Sequence, residues 1–197
     1  VTLVSQQEEL DNNFGNYCLG SANFNTKGYW HNKNGLTELY NDPDFSALLA
    51  YINGLDPYND PSGYFDNGEE PFDGLDEYGN TVPPAIDAFN AYGPVFNEIS
   101  QFLVDPNAGG GGGDQEQLAQ QLLAFIFNVN YRLDGFGTAI WVNGQWMTAQ
   151  SVIDAAVAAW TSPATDDDKY WEPILDGLNN NDAVAFIPDE PCDFAYP

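Results

Sequence analysis

At 197 residues and 21.6 kDa the chain has the size of one ordinary domain. Thirty Asp and Glu against four Lys and Arg give a formal charge of -26. Over the roughly 9,200 Å² of surface expected at this mass, that repels nucleic acid and anionic membranes. Yet 43% of the residues are hydrophobic and 15% aromatic, enough for a buried core, while no apolar run approaches a membrane span.

The chain opens on Val1-Thr2-Leu3-Val4, short, β-prone and uncharged, followed by an Asn- and Gly-containing segment. Residues 1–17 are therefore read as an extended N-terminal segment, in which Val1, Leu3 and Val4 are candidate interface residues. Val1 in place of Met is read as the start of a mature form whose signal peptide has been removed. The two cysteines, Cys18 and Cys192, bracket almost the whole chain. Free thiols are the plain reading. A disulfide between them would close a loop of about 174 residues and stabilise the fold by about 5 kcal/mol in the chain-entropy picture. The expectation is the disulfide, an extracellular or cell-surface setting and a single domain over residues 18–197.

Asp42-Pro43-Asp44 starts a helix, with Asp42 as its cap, that carries Phe45, Leu48, Leu49 and Ile52 on one face and ends at Asn53-Gly54. From Leu55 to Pro84 periodicity is lost in a stretch of Asp, Asn, Gly, Pro and aromatics. Its oxygens suit a hard cation such as Ca2+, which takes six to eight of them. The candidate ligands are Asp56, Asn59, Asp60, Asp66, Glu69, Asp73 and Asp76. A solvated acidic loop is the alternative, because no window has EF-hand spacing. Tyr51, Tyr58, Tyr64, Phe65, Phe72 and Tyr78 lie in and beside the same stretch. Exposed, they would stack on sugars or a neighbouring subunit; buried, they are core.

Ile86, Phe89 and Tyr92 resume a helical spacing that Gly93-Pro94 splits before Val95, Phe96, Ile99, Phe102 and Leu103. The glycines at 109–113 form a flexible loop. The strongest helix follows, with Asp114 and Gln117 resembling a capping box. Leu118, Leu122, Ile126, Val129 and Leu133 make its stripe, and Leu123 and Phe127 widen it, so this helix should be covered on both sides. Ala139 to Met147 reads as a hairpin around Asn143-Gly144, with one of Trp141 and Trp146 facing water. Thr148 caps a helix through Trp160, a short helix lies within Tyr170–Leu178, and the tail from Ala183 is extended. The expected fold is mainly α: a single globular helical domain with a small β-hairpin and long Asp/Asn/Gly-rich loops.

Catalytic equipment is sparse. His31 is the only histidine, there is no Gly-x-Ser-x-Gly elbow, and the glycine run lacks the Lys-Ser/Thr of a phosphate loop. A glycosidase needs only two carboxylates, but no pair stands out. No enzyme is expected.

Thr26-Lys27-Gly28-Tyr29-Trp30-His31-Asn32-Lys33 and Leu118-Ala119-Gln120-Gln121-Leu122-Leu123-Ala124-Phe125-Ile126-Phe127-Asn128-Val129 resemble two segments of a family of secreted bacterial surface proteins. Those segments are a Thr-Gln-Gly-Tyr-Trp-Lys-Asn-His run and a Leu-Ala-x-Gln-Leu-Leu/Ile-Ala helix. The resemblance implies export and a surface or matrix setting, and it carries over no catalytic residue. His and Lys stand exchanged at 31 and 33 relative to that pattern, which argues against a metal or catalytic role needing the family's order. Physically, Gly28-Tyr29-Trp30 reads as a buried aromatic anchor beside Cys18, with His31 and Lys33 satisfying nearby carbonyls or carboxylates.

The expected function is an extracellular structural or adhesive protein, the self-assembling subunit of a surface filament or matrix, with other copies of itself as partner. The alternative is a carbohydrate-binding module or glycoside-processing enzyme with a glycan partner, and a third reading is a monomeric calcium-dependent surface protein. Nucleic acid and membrane insertion are not expected.

Overall fold

The computed structural model describes residues 19–58, 72–75, 79–83, 92–104, 113–161 and 167–188. Among them are seven α-helices and a four-stranded antiparallel sheet, so the chain is mainly α with a small sheet. No helix among the described residues is long and apolar enough to cross a membrane. The segment with Val1, Leu3 and Val4, both cysteines, the helical spacing at Ile86 and Phe89 and glycines 109–112 lie outside the described residues.

The helices are α1 (Lys27–His31), α2 (Lys33–Asn41), α3 (Phe45–Ile52), α4 (Pro94–Phe102), α5 (Gly113–Arg132), α6 (Ala149–Thr161) and α7 (Asp168–Asn179). The strands are β1 (Gly20–Ala22), β2 (Ala139–Val142), β3 (Gln145–Thr148) and β4 (Val184–Ile187), ordered β1-β4-β2-β3. Helix α5 is the axis. Every residue from Leu118 to Val129 is buried, against α7, α6 and α1. The helix begins at Gly113 rather than at a cap on Asp114. A helix covered all round must satisfy its polar side chains internally, and Gln120, Gln121 and Asn128 are satisfied in that way.

Several elements follow local rules. Pro94 occupies the first turn of α4 behind Gly93 at φ 96, so this helix starts at the Gly-Pro step. Asn143 at φ 45 and Gly144 at φ 88 make the tight turn of the β2–β3 hairpin. Thr148 Oγ1 accepts from Ser151 N at 3.1 Å and caps α6.

Others differ from expectation. Asp42 does not cap α3: the helix starts at Phe45, and the Asp42 carboxylate accepts from Asp44 N at 2.9 Å and from Tyr131 Oη at 2.6 Å. It pins the α2–α3 corner to the end of α5. Helix α7 runs two residues further back than Tyr170 and one beyond Leu178, with Pro173 inside it. Lys33–Asn41 is helical without a sequence signal for it. The tail enters the sheet as β4, where Ser21 pairs with Ala185 and Ile140 with Phe186. An ideal Cβ on Gly20 would fall 2.3 Å from the Phe186 ring, so the phenylalanine occupies the space the glycine leaves.

Candidate functional site

Two segments singled out in the sequence, residues 26–33 and 118–129, meet inside the protein. Asn128 of α5 accepts from Asn25 N at 2.7 Å and Trp30 Nε1 at 3.2 Å, and donates to Asn25 O at 2.8 Å and Asn179 Oδ1 at 2.9 Å. Asn179 in turn donates to Gln121 O and Oε1, each at 2.9 Å, while Gln121 donates to Asp176. One buried amide chain therefore joins α1, α5 and α7. Trp30 is fully buried and 5.3 Å from the Phe127 ring, as an aromatic anchor should be.

The charged neighbours differ from the sequence reading. Lys27 makes a long-range side-chain contact, donating from Nζ to Gln120 Oε1 at 2.7 Å, and His31 is joined to α4 through its carbonyl, which accepts from Ser100 Oγ at 2.7 Å. Lys33 is exposed, and burial lowers the His31 pKa. Sequence reasoning missed Arg132 and Glu38. Arg132 lies 5.4 Å over the Trp30 ring and forms a forked pair with Glu38 at 2.5 and 2.8 Å. Tyr29 Oη donates to the same carboxylate at 3.0 Å. The Arg132 hydrogen bonds hold the Glu38 carboxyl below its ordinary pKa against the opposing effect of burial. This cluster ties α1 and α2 to α5.

Of the seven proposed calcium ligands, the structure describes two. Asp56 is exposed on a short 3-10 turn, Asp56–Tyr58. Asp73 is exposed, and its carboxylate accepts from Leu75 N at 2.8 Å. Asn59, Asp60, Asp66, Glu69 and Asp76 lie outside the described residues. Among the described residues no group of three or more His, Cys, Asp and Glu is placed to hold a metal. The aromatics of this region that can be placed are core: Tyr58 and Phe72 are buried with rings 5.8 Å apart, and Tyr58 Oη donates to Ala119 O at 2.7 Å. Asn53 brings the two parts together, accepting from Phe72 N and donating to Phe72 O.

Among the described residues two exposed aromatics, Trp141 and Trp146, lie on the hairpin, and two more, Tyr40 and Tyr170, lie on α2 and α7. Ile140 and Val142 of β2 point into the core, and Trp141 between them points out. Trp141 and Trp146 are directly paired across β2 and β3. Residues opposed across an antiparallel pair share a face, so both tryptophans, not one, face water, at 46% and 39% exposure. Their rings are 5.2 Å apart at 67°, an edge-to-face pair that leaves indole surface open. Beside the turn, Asn143 Nδ2 donates to Tyr170 Oη at 3.0 Å, and Tyr170 is 52% exposed. Strand β3 is the last of the sheet among the described residues. Aromatic rings beside amides on an outward face can stack and hydrogen-bond. No protein family, curated protein or solved structure matches this chain.

Proposed function

We propose that this chain is an extracellular structural or adhesive protein that assembles with copies of itself into a surface filament or matrix. The observation that carries the reading is the open sheet. Its outer strands among the described residues are β1 and β3, and the β-prone Val1, Leu3 and Val4 precede β1 in the chain. An unpaired strand edge takes up an extended segment from another molecule by backbone hydrogen bonding. The N-terminal segment of one subunit adds to the β3 edge of the next. Deleting residues 1–7 is expected to abolish polymers seen by electron microscopy while leaving the circular dichroism of the fold intact. Unchanged polymers would overturn strand donation.

The subunit is a single domain closed by a Cys18–Cys192 disulfide, and it carries calcium in the loop that contains Asp56 and Asp73. One contiguous core that draws on every helix supports the first point. The pairing of β1 with β4, which brings the chain just after Cys18 beside the chain just before the tail with Cys192, supports the second. Calcium is supported by the oxygen-rich composition of the loop, and divalent bridging would offset the repulsion between subunits of charge -26. A second reading, a carbohydrate-binding module or glycoside-processing enzyme, is favoured on its binding side by the exposed tryptophan pair.

A further inference from the structure

We infer that the outward face of the β2–β3 hairpin, built on Trp141 and Trp146, is a stacking platform for a neutral polysaccharide. The inference deepens the adhesive reading by naming what is adhered to, and it does not depend on polymer formation. Three observations single out this ligand chemistry.

The first is shape. Two indoles set edge to face give two differently inclined apolar planes on one wall, and the axial C–H face of a pyranose lies flat on such a ring. Asn143, at the turn that joins the two strands, donates to the Tyr170 hydroxyl, and amide and hydroxyl groups of this kind match sugar hydroxyls.

The second is charge. Acidic residues occur thirty times in 197 residues, yet the 19 positions from Gly135 to Ile153 contain no Asp, Glu, Lys or Arg. A basic partner would be met by carboxylates, and a site for one has no reason to lose them. An anionic partner is repelled by the molecule as a whole. An uncharged window in a chain of this charge fits an uncharged ligand.

The third is size. At their exposures, the two tryptophans offer on the order of 100 Å² each, about 200 Å² together. A stable protein dimer needs roughly 800 Å² per partner, far more than these two rings supply, whereas a few sugar rings in a row match them.

The test is affinity electrophoresis of the full chain in native gels cast with a soluble neutral β-glucan, mannan or xylan, and with polygalacturonate as the anionic comparison. The expected result is retardation in at least one neutral gel and none in polygalacturonate. Trp141→Ala and Trp146→Ala should each weaken retardation at least tenfold, whereas Trp146→Tyr, which keeps a stacking ring, should retain most of it. Thermal melts followed by circular dichroism separate lost binding from lost fold. Equal mobility of the wild type in every gel would overturn the inference, as would retardation that survives Trp141→Ala with Trp146→Ala. Retention in polygalacturonate, or a dimer in sedimentation that the alanine variants dissolve, would also overturn it. Light scattering scores assembly separately. A chain that polymerises without retardation keeps the proposed function and loses this inference; a chain retarded as a monomer does the reverse.

Discussion

Asn128 illustrates how much of this fold hangs on single polar side chains. It is fully buried and serves two donors and two acceptors on α1, the chain before it and α7. Truncation leaves those groups without water or protein partners, and each such buried group costs about 1–3 kcal/mol. Asn128→Ala should therefore lower unfolding free energy by roughly 3–5 kcal/mol in urea titration, with an unchanged slope; a loss below about 1 kcal/mol would show the network to be dispensable. Glu38 acts through charge. Because Arg132 depresses the folded carboxyl pKa below its ordinary 4.5, the pair stabilises the native state above that ordinary value. The contribution is lost as pH falls through the folded pKa. Glu38→Gln should cost about 2 kcal/mol at pH 7, and the stability gap between wild type and variant should narrow as the pH is lowered below 4.5. A gap that stays constant as the pH falls would contradict the assignment.

Helices α1 and α2 meet at Gly35, where an ideal Cβ would fall 2.5 Å from Trp30 Cα and Tyr29 O. Backbone cannot move aside, so Gly35→Ala should destabilise by roughly 3 kcal/mol or more. At Gly28, inside α1, the nearest atom is Thr26 Oγ1 at 3.4 Å, and Gly28→Ala should be neutral or stabilising by up to about 1 kcal/mol. Similar thermal shifts in the two variants would contradict the close approach. The same two helices show where sequence reading ends. Residues 27–41 hold two glycines and three asparagines, weak helix formers, and they are helical because Trp30, Leu36 and Leu39 are buried against other elements. Strands β1 and β4, of three and four residues, exist through a pairing between distant parts of the chain, which no local pattern records. By contrast α5, the hairpin and α6 follow from 3.6-residue spacing, an Asn-Gly turn and a threonine cap, each a local property. The tryptophan pair was half legible. The turn identifies both residues as flanking it, and their equal distance from that turn already places them opposite each other on one face.

At the scale of the molecule, charge governs association. Chains of net charge -26 repel over about 10 Å in 0.1 M salt, so the proposed strand sharing between copies requires that repulsion to be offset by divalent ions or by high ionic strength. Composition made this conflict visible without any structure, because a hydrophobic fraction of 43% and an acidic surface pull association in opposite directions. The proposed calcium loop was less accessible: carboxylates scattered among Gly and Pro have no spacing that fixes which of them converge, and Asp73 already uses its carboxylate to hold its own turn. The most direct measurement of the central claim is negative-stain electron microscopy of the full chain, in calcium and after chelation. Regular polymers in calcium that disperse on chelation are the predicted result; single particles in both samples would contradict a self-assembling structural protein.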